Sequence, residues 1–276
     1  MTQDTTQDRD ARNGVEPTGF TPRLVALDID GTLVDGNGVM PDDVREAVGR
    51  IVAAGVPVVL ATGRGWTSTD IIFEHLQLPP GWAVTANGAM VVRYPPLEVV
   101  SEERFDPADS IAKVSQAAPE AIIGVQEGLK WRVSRPFPDG ELHGEVVIES
   151  LEELASRPVS RIVIRDPDSS EAVFNQMARS LGLHEVTYFI GWSAWLDIAP
   201  RGIDKAHGLQ QVVDALGLTA GDVLALGDGD NDIEMLQWAG RGVAMGGTAE
   251  DVRAAADHVT GTFEDGGTAE EIGRWF

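Results

Sequence analysis

Leu24-Val25-Ala26-Leu27-Asp28-Ile29-Asp30-Gly31-Thr32-Leu33 opens as an apolar run and breaks abruptly into acid and glycine. A short, wholly apolar run bounded by turn residues reads as a strand buried on both faces, the form found in parallel sheets. Similar runs recur at 56 to 61 before Thr62, at 83 to 85 before Asn87-Gly88, at 223 to 226 before Gly227-Asp228 and at 242 to 245 before Gly246-Gly247. Helical patterns lie between them. Val44, Ala47, Val48 and Ile51 repeat at helical spacing up to Gly55, and Ala206, Leu209, Val213 and Leu216 up to Gly217. Strands alternating with helices predict an α/β fold, a doubly wound parallel sheet that binds its ligand at the carboxyl ends of its strands.

The segment from 94 to 193 has a different texture. Prolines punctuate it at Pro95, Pro96, Pro136 and Pro138. Its strand candidates are 98 to 105, 121 to 126, 145 to 148, 162 to 164 and 186 to 190. One helix carries Ile111, Val114 and Ala118, and another carries Phe174, Met177 and Leu181. This predicts an α+β unit inserted between two halves of a core, 22–93 and 194–276, with hinges near 90 to 95 and 193 to 200. Residues 1–21 are polar, lack an apolar stretch and are expected to form a disordered leader.

With 21 basic against 44 acidic residues, the net charge is −23, which disfavours nucleic acid and anionic membrane surfaces as partners. The chain has no cysteine, so thiolate chemistry and disulfides are excluded. No apolar stretch reaches the roughly 20 residues needed to span a bilayer, and a cytoplasmic location is expected.

Asp28 and Asp30 are two apart, so on extended chain they face one pocket. Their mutual repulsion is relieved by a hard divalent cation with oxygen ligands, for which magnesium is suited. Asp228, in Gly227-Asp228-Gly229-Asp230-Asn231-Asp232, stands at another strand end where it can complete such a site. The same acidic run is compatible with a calcium loop, although its twelfth position from Asp228 is Ala239 instead of the closing Glu of an EF-hand. Thr62-Gly63-Arg64 offers a hydroxyl and amides for phosphate oxygens, or is simply a turn. Lys205, at a helix start beside Asp204, can offset phosphate charge or be merely solvated.

In their order along the chain, Asp28-x-Asp30-Gly31-Thr32-Leu33, Thr62-Gly63-Arg64, Lys205 and Gly227-Asp228-x-x-Asn231-Asp232 resemble the haloacid dehalogenase (HAD) superfamily, and within it the Cof-type, class IIB branch of sugar-phosphate phosphatases. Asn87-Gly88-Ala89, Val243-Ala244-Met245-Gly246 and Glu264-Asp265-Gly266 support the resemblance, which extends over about residues 22 to 276. Where that branch usually continues with Asn-Ala, this chain has Gly247-Thr248, and its leader is longer than usual.

The resemblance implies a HAD core with a cap inserted at 94–193 that reads the substrate. It also implies a magnesium-dependent phosphatase acting on a small phosphorylated metabolite. Asp28 would be the nucleophile and form an aspartyl-phosphate, and Asp30 the acid and base. Asp28, Asp228 and the backbone carbonyl of Asp30 would hold the metal. Thr62, Lys205, Asn231 and the amides of Ile29 and Gly63 would bind the phosphoryl oxygens, with Asp232 orienting Lys205 or a metal-bound water. Phosphoryl transfer between two positions on a sugar, as in a mutase, and an acidic interaction protein that kept the fold are the competing readings. Dehalogenation is disfavoured because it resembles sites lacking Asp30 and its metal partners. In the inserted unit Trp131, Arg132, Arg135, His143, Trp192 and Trp195 carry no pattern that assigns any one of them to a ligand.

Overall fold

A computed structural model describes residues 19–170, 174, 176, 181, 186–191 and 195–276, the side chains of 186–191 excepted. The leader up to residue 18, Met177 and Trp192 lie outside the described residues.

The strand that opened the sequence reading, β1 (Leu24–Leu27), lies in the middle of an eight-stranded sheet. β2 (Val58–Ala61) and β3 (Gly81–Thr85) lie beyond it on one side, and β12 (Val223–Gly227), β13 (Arg241–Gly246) and β14 (His258–Thr262) on the other, all parallel. Successive side chains of a strand point to opposite faces, and both faces here are covered. Val25 and Leu27 enter a cluster with Val44, Val48 and Ile51 of α1 (Asp42–Ala53) and Phe73 of α2 (Trp66–His75). Leu24 and Ala26 enter another with Leu209 and Val213 of α5 (Lys205–Leu216) and Leu236 of α6 (Ile233–Trp238). This two-sided burial explains why the strands read as unbroken apolar runs.

The second sheet has six strands in the order β10-β11-β9-β6-β7-β8. They are β6 (Ile122–Glu127), β7 (Lys130–Val133), β8 (Glu145–Ile148), β9 (Arg161–Arg165), β10 (Val186–Gly191) and β11 (Trp195–Pro200). All pairs are antiparallel except β7 with β8. One face packs on α3 (Ala108–Ala117), α4 (Leu151–Leu154), Phe174 and Leu181.

Two boundaries differ from the sequence expectation. Residues 98 to 105 were assigned to the insertion, yet β5 (Glu98–Glu102) hydrogen-bonds to β4 (Met90–Tyr94) at the edge of the large sheet. The cause is local. Ala86 (φ 51°), Asn87 (φ 52°) and Gly88 (φ 93°) reverse the chain after β3, so β4 returns antiparallel along it and β5 follows as a hairpin. The core was expected to resume at 194, whereas Trp195–Pro200 is a strand of the small sheet, paired with β9 and β10. Sheet membership thus puts Glu98–Glu102 with the large sheet and Trp195–Pro200 with the small one.

Candidate active site

β1, β2, β3 and β12 all end on one edge, and each is followed by a polar residue of the sequence motifs: Asp28, Thr62, Asn87 and Asp228. Lys205 arrives from the same side as the first residue of α5, whose N-cap Asp204 accepts a hydrogen bond from the His207 amide at 2.9 Å. A close backbone approach sets that helix start. A Cβ on Gly88 would collide with the carbonyl oxygen of Asp204, and the positive φ there also favours glycine.

Lys205 is 0% exposed, and its Nζ donates to Asp28 Oδ1 and to Asp232 Oδ1, each at 2.6 Å. Asp232 is held by two backbone amides, since Asp228 N at 3.0 Å and Gly229 N at 2.9 Å donate to its Oδ2. Thr32 Oγ1 donates to Asp228 Oδ1 at 3.3 Å. Gly31 (φ 76°) lets the turn after β1 pass Asp228, because a Cβ there would run into that carboxylate.

Asp28, Asp228 and Asp232 each bring a carboxylate oxygen within 4.8 Å of the others. One ammonium faces these three acids, so the cluster carries excess negative charge out of water. Burial is the main cause that raises the Asp28 carboxyl well above its ordinary range, opposed by Lys205 and reinforced by its acidic neighbours. Burial, then the charge of Asp232, pushes Asp228 up to about 7. Lys205 is held protonated, its value raised by Asp232 and Asp28 against the opposing effect of burial. A hard divalent cation among these oxygens would reverse the carboxylate shifts, so the donor set and its charge fit one.

Asp30 differs from the sequence expectation in its side chain. Its two oxygens accept from Arg64, Nε to Oδ2 at 2.9 Å and Nη2 to Oδ1 at 2.5 Å, and the acidic cluster contains Asp232 in its place. The Asp30 side chain is thus engaged by Arg64 and stands outside the group of three acids. The Ile29 side chain lies in the core. Thr62 is buried and its Oγ1 accepts from the Arg64 amide at 3.1 Å. Asn231 Nδ2 donates to Asn87 Oδ1 at 2.9 Å, and both side chains lie over Gly63.

Sequence reasoning assigned no role to Arg64, Asn87 or Thr32. Each was visible inside a quoted motif, but a hydrogen bond between residues 34 or 144 positions apart leaves no trace in spacing.

A family model described as haloacid dehalogenase-like hydrolase matches residues 25–272. The chain is 28% identical over 270 residues to the 5-amino-6-(5-phospho-D-ribitylamino)uracil phosphatase YitU of Bacillus subtilis (strain 168), covering 92% of this chain and 98% of that protein. A haloacid dehalogenase-like hydrolase from Bacteroides thetaiotaomicron superposes with a TM-score of 0.75 at 26% identity, covering 93% of this chain and 100% of the other. The fold alone is shared with the HAD subclass IIB sugar phosphatase BT4131, at a TM-score of 0.76 and 24% identity over 91% of this chain and 98% of that one.

Proposed function

Because the chain belongs to the haloacid dehalogenase-like hydrolase family, we propose that it is a magnesium-dependent phosphatase of small phosphate monoesters that works through an aspartyl-phosphate on Asp28. The single observation that carries this reading is the buried Lys205, bonded at once to Asp28 and Asp232 beside Asp228.

Lys205 holds one oxygen of Asp28, which leaves the other to attack phosphorus in line. Asp232, fixed by two amides, keeps Lys205 aimed. Thr62, Asn231, Lys205 and the amides of Ile29 and Gly63 stabilise the equatorial oxygens as their charge redistributes. The Asp30 carboxyl gives a proton to the leaving alkoxide and then takes one from the attacking water. Arg64 takes one lone pair on each Asp30 oxygen, which leaves the second lone pair of each for the proton and the leaving group. Magnesium, held by Asp28, Asp228 and the Asp30 carbonyl, would supply positive charge against the phosphoryl oxygens. The inserted sheet acts as a cap that excludes water and reads the leaving group.

Sugar phosphates and related metabolites are the proposed substrates, and the uracil derivative named for the Bacillus subtilis relative belongs on the test panel. No helix among the described residues is long and apolar enough to cross a membrane. A cytoplasmic enzyme with no nucleic-acid partner is the reading consistent with the −23 charge.

Phosphate release from such a panel and from p-nitrophenyl phosphate, with and without magnesium, tests the proposal. The expected result is metal-dependent release, reduced about a thousandfold or more in Asp28→Asn. Release that needs no divalent ion, or that survives the substitution, overturns it.

A further inference from the structure

Gln126 belongs to the inserted sheet but lies against the catalytic loop. On β6 it is paired with Trp131 of β7 on one side and Arg161 of β9 on the other, and directly opposed residues share a face. Its neighbour Val125 points the other way, into the apolar cluster of the insertion. The Gln126 side chain packs over Gly65, just beyond Thr62-Gly63-Arg64, with its amide 3.4 Å from the position of a Cβ there. A second contact, from the first turn of α2, joins the core to the insertion: Thr67 Oγ1 donates to the His143 carbonyl at 2.9 Å.

Gln126 is 2% exposed. Its Nε2 donates to the Gly128 carbonyl at 3.0 Å, while its Oε1 has no hydrogen-bond partner. An amide oxygen removed from water without a donor is destabilising, and an apolar side chain would fill the space without that cost. The neighbouring charge is already spent. Arg161 forms a two-pronged ion pair with Asp197, whose Oδ2 also accepts from Trp195 Nε1 at 3.0 Å. Gln126 thus brings to the loop at Gly65 an uncharged side chain with one acceptor lacking a donor, and the charge of its cross-strand neighbour Arg161 is matched by Asp197.

We propose that Gln126 is a specificity-determining residue whose Oε1 accepts a hydrogen bond from a hydroxyl of an uncharged, polyol-like leaving group. The proposal rests on the phosphatase reading above and adds to it the residue that selects the alcohol. Because Asp197 engages the Arg161 guanidinium, that cation is not free for a second phosphate or a carboxylate, and bisphosphates and phospho-acids are expected to be poor substrates.

The test compares kcat/KM for ribitol 5-phosphate and other hydroxylated phosphate esters with that for p-nitrophenyl phosphate, whose leaving group carries no donor, in wild type, Gln126→Leu and Gln126→Glu. Gln126→Leu is expected to lower kcat/KM for the best hydroxylated ester by about tenfold to a hundredfold, to leave p-nitrophenyl phosphate within about twofold, and not to lower Tm. Gln126→Glu retains an acceptor oxygen and is expected to recover part of the loss. Equal losses on both kinds of substrate, no loss on either, or a wild type that hydrolyses p-nitrophenyl phosphate but no hydroxylated ester would overturn the assignment. A wild type that hydrolyses neither overturns the phosphatase reading instead.

Discussion

Asp228 shows how much of the site's behaviour is set by charge at a single residue. Its carboxyl lies near 7 against an ordinary 3.8 because burial and the adjacent Asp232 oppose ionisation. A carboxyl raised in this way supports the fold fully below its unfolded value, and that support is lost as pH rises through about 7. A divalent ion needs the ionised form, so protons compete with it over the same range. Saturating magnesium should therefore raise Tm more at pH 8 than at pH 5.5, as thermal unfolding at the two pH values would show. A shift that is equal at both, or larger at the lower pH, contradicts the assignment of Asp228 as a ligand. The acids at strand ends were legible in the sequence because an apolar run stopping at Asp is a local pattern. The Arg64 clasp on Asp30 was not legible, because it depends on where two loops meet.

At the scale of elements, the start of α5 carries Lys205 and the turn after β3 fixes where that start lies. Gly88→Ala would place a methyl against the Asp204 carbonyl at a positive φ. It should cost roughly 1–3 kcal/mol from backbone strain alone and reduce kcat by on the order of a hundredfold as Lys205 is displaced. Gly217→Ala, at the other end of the same helix, has a positive φ but nothing within 4 Å of the added Cβ. It should lose some stability and keep its activity. Urea unfolding and kcat of the two variants decide the matter, and equal losses of activity would sink the argument. The parallel strands were readable because burial on both faces leaves one continuous apolar signature. Which sheet β5 and β11 join was not legible, because a strand's own residues do not say which sheet supplies its partners. Leu97, Val99 and Val100 are exposed at the sheet edge, and alternation alone gave them no address.

Over the whole molecule, the chain brings together acids from residues 28, 228 and 232 and a lysine from 205, entering from both sides of the insertion. The order of the motifs already implied this convergence, since a doubly wound sheet gathers its strand ends on one edge. A chain of net charge −23 repels an anionic ester, so attraction has to be local, in the buried ammonium and in the cation that the acidic cluster would hold. Hydrolysis by this route requires a bond between an Asp28 oxygen and phosphorus during turnover. Borohydride quenching of the enzyme during turnover, followed by peptide mass spectrometry, tests it most directly, because hydride reduces an acyl phosphate and leaves a free carboxylate alone. Conversion of Asp28 to homoserine is expected only when substrate and magnesium are both present. An unmodified Asp28 in an enzyme that is actively releasing phosphate, or modification at another residue, would contradict it.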